Sequence, residues 1–284
     1  MKLIKASYEI LPQASGLNGI YKQIELAGRT CYKSEDKITK DSCKKFIDML
    51  IKSNHYSPLE HGTVYLKVPY DDIMEYVDSQ NPYDRDILCN SWTKYVIDYG
   101  NNLVYITSNY RWIIENNLDH WLKYICEPTK YHEKRVSVKF ICSRAISHEL
   151  VRHRVFSFCQ ESQRYCAYNK DKFGQEVTFI APLFIDCDKK LMNTEIFSNT
   201  YEILETALQE AETNYFILLN EGFKAEEARE VLPNSTKTEI IMTGFMSDWI
   251  RFFKLRCDKS AHPEMRRLTN PLKKEFIKLE YIDG

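Results

Sequence analysis

The residues best suited to chemistry stand in the run Ser147-His148-Glu149-Leu150-Val151-Arg152-His153-Arg154 and its continuation to Arg164. His148-Glu149 followed by His153 imitates a zinc-protease motif. That motif needs histidines at i and i+4, on one face of a helix. Here the spacing is i+5, which turns the second imidazole away by about 140°, at about 100° per residue. No metal site is expected from this run. Arg152, His153 and Arg154 instead present many hydrogen-bond donors. Guanidinium forks suit phosphate, which they hold bidentately. Ser157, Gln160, Ser162, Gln163 and Arg164 add side chains of the kind that read a small polar ligand. On spacing alone, a solvated charged helix end explains the run equally well. Cys159 lies among these residues and has the chemistry of a nucleophile.

Composition narrows the classes. The chain has 284 residues, with 39 basic and 40 acidic side chains and a net charge of -1. A general nucleic-acid binder is clearly basic, so that class is disfavoured, while a local phosphate pocket stays open. Met1-Lys2-Leu3-Ile4-Lys5 runs into polar sequence at once, so no export signal is expected. No apolar run approaches the roughly 20 residues that span a bilayer. Nine cysteines are scattered with no C-x-x-C. That pattern predicts reduced thiols in a cytoplasmic protein rather than a disulfide framework or zinc ribbon. Neither G-x-G-x-x-G nor G-x-x-x-x-G-K-[ST] occurs among the nine glycines.

The elements that must position these residues follow from periodicity. Leu3 to Leu11 reads as a strand, and Leu17 to Ala27 and Thr39 to Ser53 as helices. His61 to Val68 alternates in its second half, which predicts a half-buried strand. Asp71 to Leu122 reads as mostly helical, with polar turns at Asn81-Pro82 and Gly100-Asn101-Asn102. Arg135 to Ile141 alternates again, with Val136, Val138 and Phe140 on one face. A helix from Ser143 to about Arg152, an irregular stretch to Lys172 and a strand Val177 to Ile180 follow. Thr194 to Asn220 is a long amphipathic helix that Gly222 ends. Ala225 to Leu232 is a helix stopped by Pro233. A further helix starts near Ser247-Asp248, an N-cap with a first-turn acid, and carries Trp249, Phe252, Phe253 and Arg256 on one side. Strands and helices without strict βαβ alternation predict an α+β fold. The expectation is one domain over residues 1–284, a mixed or antiparallel sheet with long packing helices.

Arg152-His153-Arg154, seven residues and then Ser162 resembles the R-H-R-x7-S signature of the flavin-dependent thymidylate synthases, and Gln163-Arg164-Tyr165 continues it. The resemblance extends over most of the chain. Ala27-Gly28-Arg29-Thr30-Cys31-Tyr32 is similar to the family's A-R-x-C-Y segment, and Ser57-Pro58-Leu59-Glu60-His61 to its [ST]-P-x-E-H. Ala228-Arg229-x-x-Leu232-Pro233, Phe252-x-x-Leu255-Arg256 and Ala261-His262-Pro263-Glu264-Met265-Arg266 match further motifs in the same order. The segment at about 70–134 is longer than in compact members and is expected as a helical expansion.

The resemblance implies reductive methylation of dUMP to dTMP. The one-carbon donor is 5,10-methylenetetrahydrofolate, and FAD, reduced by NADPH, provides the hydride. It implies that Ser57, His61, Arg152, His153, Arg154, Gln160, Phe245, Met246, Ser247 and Arg251 contact FAD. It implies a dUMP pocket of Glu149, Leu150, Val151, Arg152, Gln160, Glu161, Ser162, Gln163, Arg164, Arg229 and Arg256. Arg256 matches the arginine that activates the uracil, by stabilising charge that develops on the ring. Cys159 matches no residue the family's chemistry needs. The chain departs from the pattern at Phe245, Ser247 and Arg251, where many relatives carry Asn, Arg, and His or Asn. The family also implies a homotetramer with shared active sites, no nucleic-acid partner and no membrane. A flavoenzyme acting on another pyrimidine nucleotide, and a non-enzymatic nucleic-acid-binding protein using the R-H-R cluster, are the rival readings.

Overall fold

The computed structural model describes residues 1–79, 87–164, 166–168, 174–183 and 195–283. The expected Asn81-Pro82 turn, and Tyr165, Lys172 and Thr194, lie outside them. The chain begins with strands β1 (Lys2–Ile4) and β2 (Ser7–Leu11), then helices α1 (Gly16–Tyr32) and α2 (Ser42–Lys52) and a 3₁₀ turn, Ser57–His61. Strand β3 (Thr63–Pro69), α3 (Tyr70–Ser79), β4 (Lys94–Asp98), β5 (Leu103–Asn109) and α4 (Tyr110–Glu115) come next. Then follow β6 (Arg135–Ser143), α5 (Arg144–Leu150), β7 (Ser157–Gln160) and β8 (Thr178–Ile180). The last part holds α6 (Glu195–Asn220), α7 (Ala225–Ala228), β9 (Lys237–Phe245), α8 (Met246–Arg256) and α9 (Pro263–Lys278).

The fold is α+β. The main sheet is antiparallel, in the order β2-β6-β9-β7, and a second antiparallel sheet has the order β3-β5-β4. Strands β1 and β8 pair in parallel. The stretch Leu3 to Leu11 is therefore two strands, broken after Ile4, and each half joins a different sheet. Strands β6 and β9 pair over their whole length, from Arg135 opposite Phe245 to Ser143 opposite Lys237. This long ladder is the frame of the site.

Val136, Val138 and Phe140 do share one face of β6. They are buried with Ile240 and Met242 of β9 under Trp249, Phe252 and Phe253 of α8 and Leu268, Leu272 and Phe276 of α9. Truncating one of these phenylalanines to alanine typically costs about 3–5 kcal/mol. A second core joins Ile24 of α1 and Leu50 of α2 to Val64, Leu66 and Ile106 of β3 and β5. Helix α6 stops where expected: Gly222 has φ 92 and its N–H donates to Leu219 O. Among the described residues no helix is long and apolar enough to cross a membrane.

The 70–134 segment corrects the expectation of a helical expansion. It holds β4 and β5 as well as α3 and α4. Six of the seven residues of β5 are buried, on both faces, so the strand shows no period of two. The helix expected from Ala225 to Leu232 ends at Ala228 and tightens into a 3₁₀ turn, Arg229–Val231. Helix α9 was not foreseen. Pro263 opens it, and the His262 side chain caps it by accepting from the Glu264 N–H.

Candidate functional site

Ser143 starts α5 by accepting from the Ile146 N–H. The helix ends in a compact turn that carries the R-H-R run. Arg152 N donates to Glu149 O, His153 N to Leu150 O, and Phe156 N to His153 O. Arg152 and Arg154 are exposed at its rim, and neither makes an ion pair with a described residue. His153 turns inward. Its ring lies edge-on to Phe252 at 4.9 Å, and its Nε2 accepts from Arg256 Nε at 2.8 Å. Burial, and then the Arg256 guanidinium, hold the His153 pKa down at about 4. The imidazole is therefore neutral near pH 7.

Arg256 closes the cluster from the last turn of α8. Nη1 reaches Glu149 Oε2 at 2.7 Å and Nη2 reaches Glu149 O at 3.0 Å. The structure thus brings Glu149, His153 and Arg256 together. Asp258 is bound to Ser260 and is not the partner of Arg256. Leu150 lies beside them in sequence, but its side chain is buried in the core. Of the residues expected around dUMP, it offers a ligand only its main chain. Val151 is exposed.

A second group forms at the Lys237 end of β9. Gln160 Nε2 donates to Ser147 Oγ and Thr238 Oγ1. Glu161 is buried, with Oε2 on Lys237 at 2.9 Å and its main-chain N–H on Glu239 O. Ser162 N donates to Cys31 O, and the Ser162 hydroxyl accepts from Arg164 N. Glu239 is clasped by Lys33, Lys139 and Lys237. Burial alone would raise its pKa, but the lysines together outweigh that and hold the carboxyl far below the usual range. Arg144, which sequence reading missed, donates to Glu161 O and Thr238 Oγ1. Burial lowers its pKa, and the neighbouring Arg229 adds to this against the pull of Tyr168 and Glu161. Arg229 itself pairs with Glu230 at 3.8 Å. The only signal for Arg144 in the sequence was its place at the start of the helix that leads into R-H-R. Gln163 is half-buried, and Arg164 makes an exposed pair with Glu226 at 3.3 Å.

A third group lies at the other end of β9. That end is about 26 Å from Lys237, at roughly 3.3 Å per residue. Phe245 and Met246, expected as flavin contacts, are buried. Ser247 N donates to Glu133, and Ser247 Oγ accepts from Lys94 Nζ at 2.6 Å. The same Lys94 pairs with Glu133 and lies 4.7 Å over the Phe245 ring. Lys94 comes from β4, inside the expanded segment, and nothing in its local sequence marked it. Arg251 and Ser57 are exposed. His61, expected as a cofactor contact, lies in the interior of the chain, and its Nε2 has no hydrogen-bond partner among the described residues. Its side chain has no exposed surface, and its Nδ1 is bonded to Thr243 Oγ1 at 2.7 Å. Burial, and then Arg135, hold its pKa down at about 3. Cys159 is buried, so its thiol does not face a ligand.

The family profile described as thymidylate synthase complementing protein matches residues 16–71 and 110–279. The chain belongs to that family. The R-H-R turn, Arg229 and Arg256 all fall within the second matched stretch of the thymidylate synthase complementing proteins. Residues 72–109, between the two stretches, include β4 and its Lys94. The chain is similar to the flavin-dependent thymidylate synthase of Geobacter sulfurreducens, with 38% identity over 45% of this chain and 49% of that protein. It is also similar to the flavin-dependent thymidylate synthase of Pyrococcus furiosus, with 34% identity over 50% and 53%. The chain spans about half the length of the curated relatives it matches. A solved UMP/dUMP methylase PolB from Streptomyces cacaoi, bound with 5-Br dUMP, is similar over 98% of this chain and 93% of that one, with 18% identity and a TM-score of 0.46.

Proposed function

We propose that the protein is a flavin-dependent thymidylate synthase, converting dUMP to dTMP with 5,10-methylenetetrahydrofolate, FAD and NADPH. One observation carries this reading. The R-H-R run folds into a turn that sends Arg152 and Arg154 outward and locks a neutral His153 against Arg256. Two exposed guanidinium groups with no ion-paired carboxylate among the described residues fit the phosphates of a flavin dinucleotide and a nucleotide. When bound, reduced flavin supplies the hydride that completes the new methyl group.

The chain's own residues bind and polarise. Arg152 and Arg154 hold phosphate at the turn. Arg144 and Arg229 add a second positive corner beside Gln160 and Ser162, whose neutral groups suit uracil and sugar. Arg256, held by Glu149 and His153, stabilises negative charge on the uracil ring. Ser57 and Arg251, both exposed, are the flavin contacts away from the turn. The nucleotide group and the Ser247 group lie at opposite ends of β9, which supports a site completed by another copy. We assign the protein to a homotetramer with shared sites, in the cytoplasm, where its thiols stay reduced.

The test is direct. Purified protein is expected to bind FAD with quenching of flavin fluorescence, and to form dTMP from dUMP when folate donor and NADPH are added. No flavin binding at saturating FAD sinks the proposal. Turnover of dCMP in preference to dUMP replaces the substrate and keeps the reaction class.

A further inference from the structure

We propose that Lys94 binds a phosphate of the flavin dinucleotide together with Arg251, so that a segment outside the family profile supplies a cofactor contact. The inference rests on the flavin-dependent activity proposed above. Lys94 stands on β4, in the stretch 72–109 that the profile leaves unmatched. Strand β4 belongs to the second sheet, yet the Lys94 side chain reaches the start of α8, which follows the main sheet's β9. Its Nζ donates to Ser247 Oγ at 2.6 Å, 153 residues away in the chain, and to Glu133 Oε2 at 2.6 Å. The Phe245 ring braces it at 4.7 Å.

These contacts set the ammonium in place without using it up. A lysine ammonium has three N–H donors, and two are spent on these oxygens, which leaves the third for a ligand. The side chain keeps 37% of its surface open. The carboxylate beside it is shared. Glu133 Oε1 accepts from the Ser247 N–H at 2.9 Å while Oε2 holds Lys94. Asp248, the other acid at this end of α8, is buried.

Helix α8 supplies the rest of the surface. Ser247, Arg251 and Lys254 stand at i, i+4 and i+7, which places them on one side of the helix. The other side is fixed, because Trp249, Phe252 and Phe253 are packed in the core. Arg251 and Lys254 are exposed, and neither makes an ion pair with a described residue. Lys94, Arg251 and Lys254 thus line one face with a single exposed-side carboxylate among them, which draws anions. Ile250, on the same side, is 52% exposed and offers apolar contact to a ring system. A ligand with both phosphate and a flat ring matches that face. A plain Lys94–Glu133 ion pair explains less. Such a partly exposed pair contributes little to stability, and it has no use for Arg251.

Ligand-free protein is titrated with FAD and, in parallel, with riboflavin, which has the ring system and no phosphate. Quenching of flavin fluorescence reads both. In Lys94→Met, FAD is expected to bind about tenfold more weakly, a difference of about 1.4 kcal/mol, with riboflavin affinity unchanged. Lys94→Arg keeps a cation and is expected to recover most of the FAD affinity. Added salt screens a charge contact, so the fall in FAD affinity with salt is expected to be shallower in Lys94→Met than in the wild type. Unchanged FAD affinity in Lys94→Met overturns the contact. An equal loss of FAD and riboflavin, or an unaltered salt dependence, overturns it too, because Lys94 then only shapes the end of α8. Wild-type protein that binds no FAD sinks the proposed activity and the contact with it, a result distinct from a wild type that binds and a variant that binds equally well.

Discussion

Arg256 has all three guanidinium nitrogens engaged inside its own protomer, on Glu149 and His153. It is placed to polarise a ligand, and it also fixes the turn. The two roles separate by substitution. Arg256→Ala removes both, and loss of one preorganised electrostatic contact lowers turnover on the order of 10²- to 10³-fold. Arg256→Lys keeps the charge but not the fork, so it is expected to recover only part of the rate. Glu149→Gln keeps a hydrogen-bond acceptor for Arg256 and tests positioning alone. Steady-state kinetics with a separate flavin titration read all three. Near-normal turnover in Arg256→Ala removes Arg256 from the chemistry. Weaker flavin binding in that variant is the other expected result, because the turn that carries Arg152 and Arg154 loses its anchor. The R-H-R run and Arg256 were legible through their resemblance to family motifs, whereas spacing alone left a solvated helix end as an equal reading. Their partners were not. Glu149 and Arg256 are 107 residues apart, and only the fold joins them. His61 shows a further limit: its burial is a tertiary property that its sequence context does not carry.

The elements that could be read were those whose two faces differ in burial. Strand β6 and helix α6 show their periods, and both stand where expected. Strand β9 was unreadable because every residue after Lys237 is buried, so no alternation survives. In α9 an internal proline, Pro271, hid the helix. Strand β9 also supports the R-H-R turn by a route that invites a test. A Cβ on Gly244 would meet Phe156 Cδ1 at 2.3 Å and Cε1 at 2.4 Å. Phe156 cannot easily yield, because its ring is set against Trp249 at 4.9 Å and its N–H holds His153 O. Gly244→Ala is expected to lower stability by about 1–3 kcal/mol, the range for overpacking. It also disturbs the turn. Adding Phe156→Leu makes room and is expected to restore part of the loss in urea denaturation. An unchanged midpoint in the single variant shows instead that Phe156 moves freely.

At the scale of the molecule, apolar side chains stand exposed beside the candidate site. Leu255, next to Arg256, is 60% exposed, and Val151 and Val155 flank the R-H-R turn in the open. Ile203 of α6, a position on its apolar stripe, is 72% exposed. Scattered apolar residues on a surface need no explanation, but Leu255, Val151 and Val155 around one turn form the kind of patch that marks an interaction site. A second copy of this chain is the occupant the proposed tetramer requires. The sequence could not show this, because periodicity marks an apolar face without saying whether the chain or a neighbour buries it. Light scattering is expected to give a tetramer at micromolar concentration. Leu255→Glu puts a charge into the covered patch and is expected to shift the protein toward smaller species. If the sites are shared, flavin binding and turnover fall with assembly. Both then recover as the protein concentration rises, because association follows mass action. That recovery is the decisive reading, since damage to the fold or to Arg256 itself would not be reversed by concentration. A dissociated Leu255→Glu protein with full turnover would show that one chain carries a complete site.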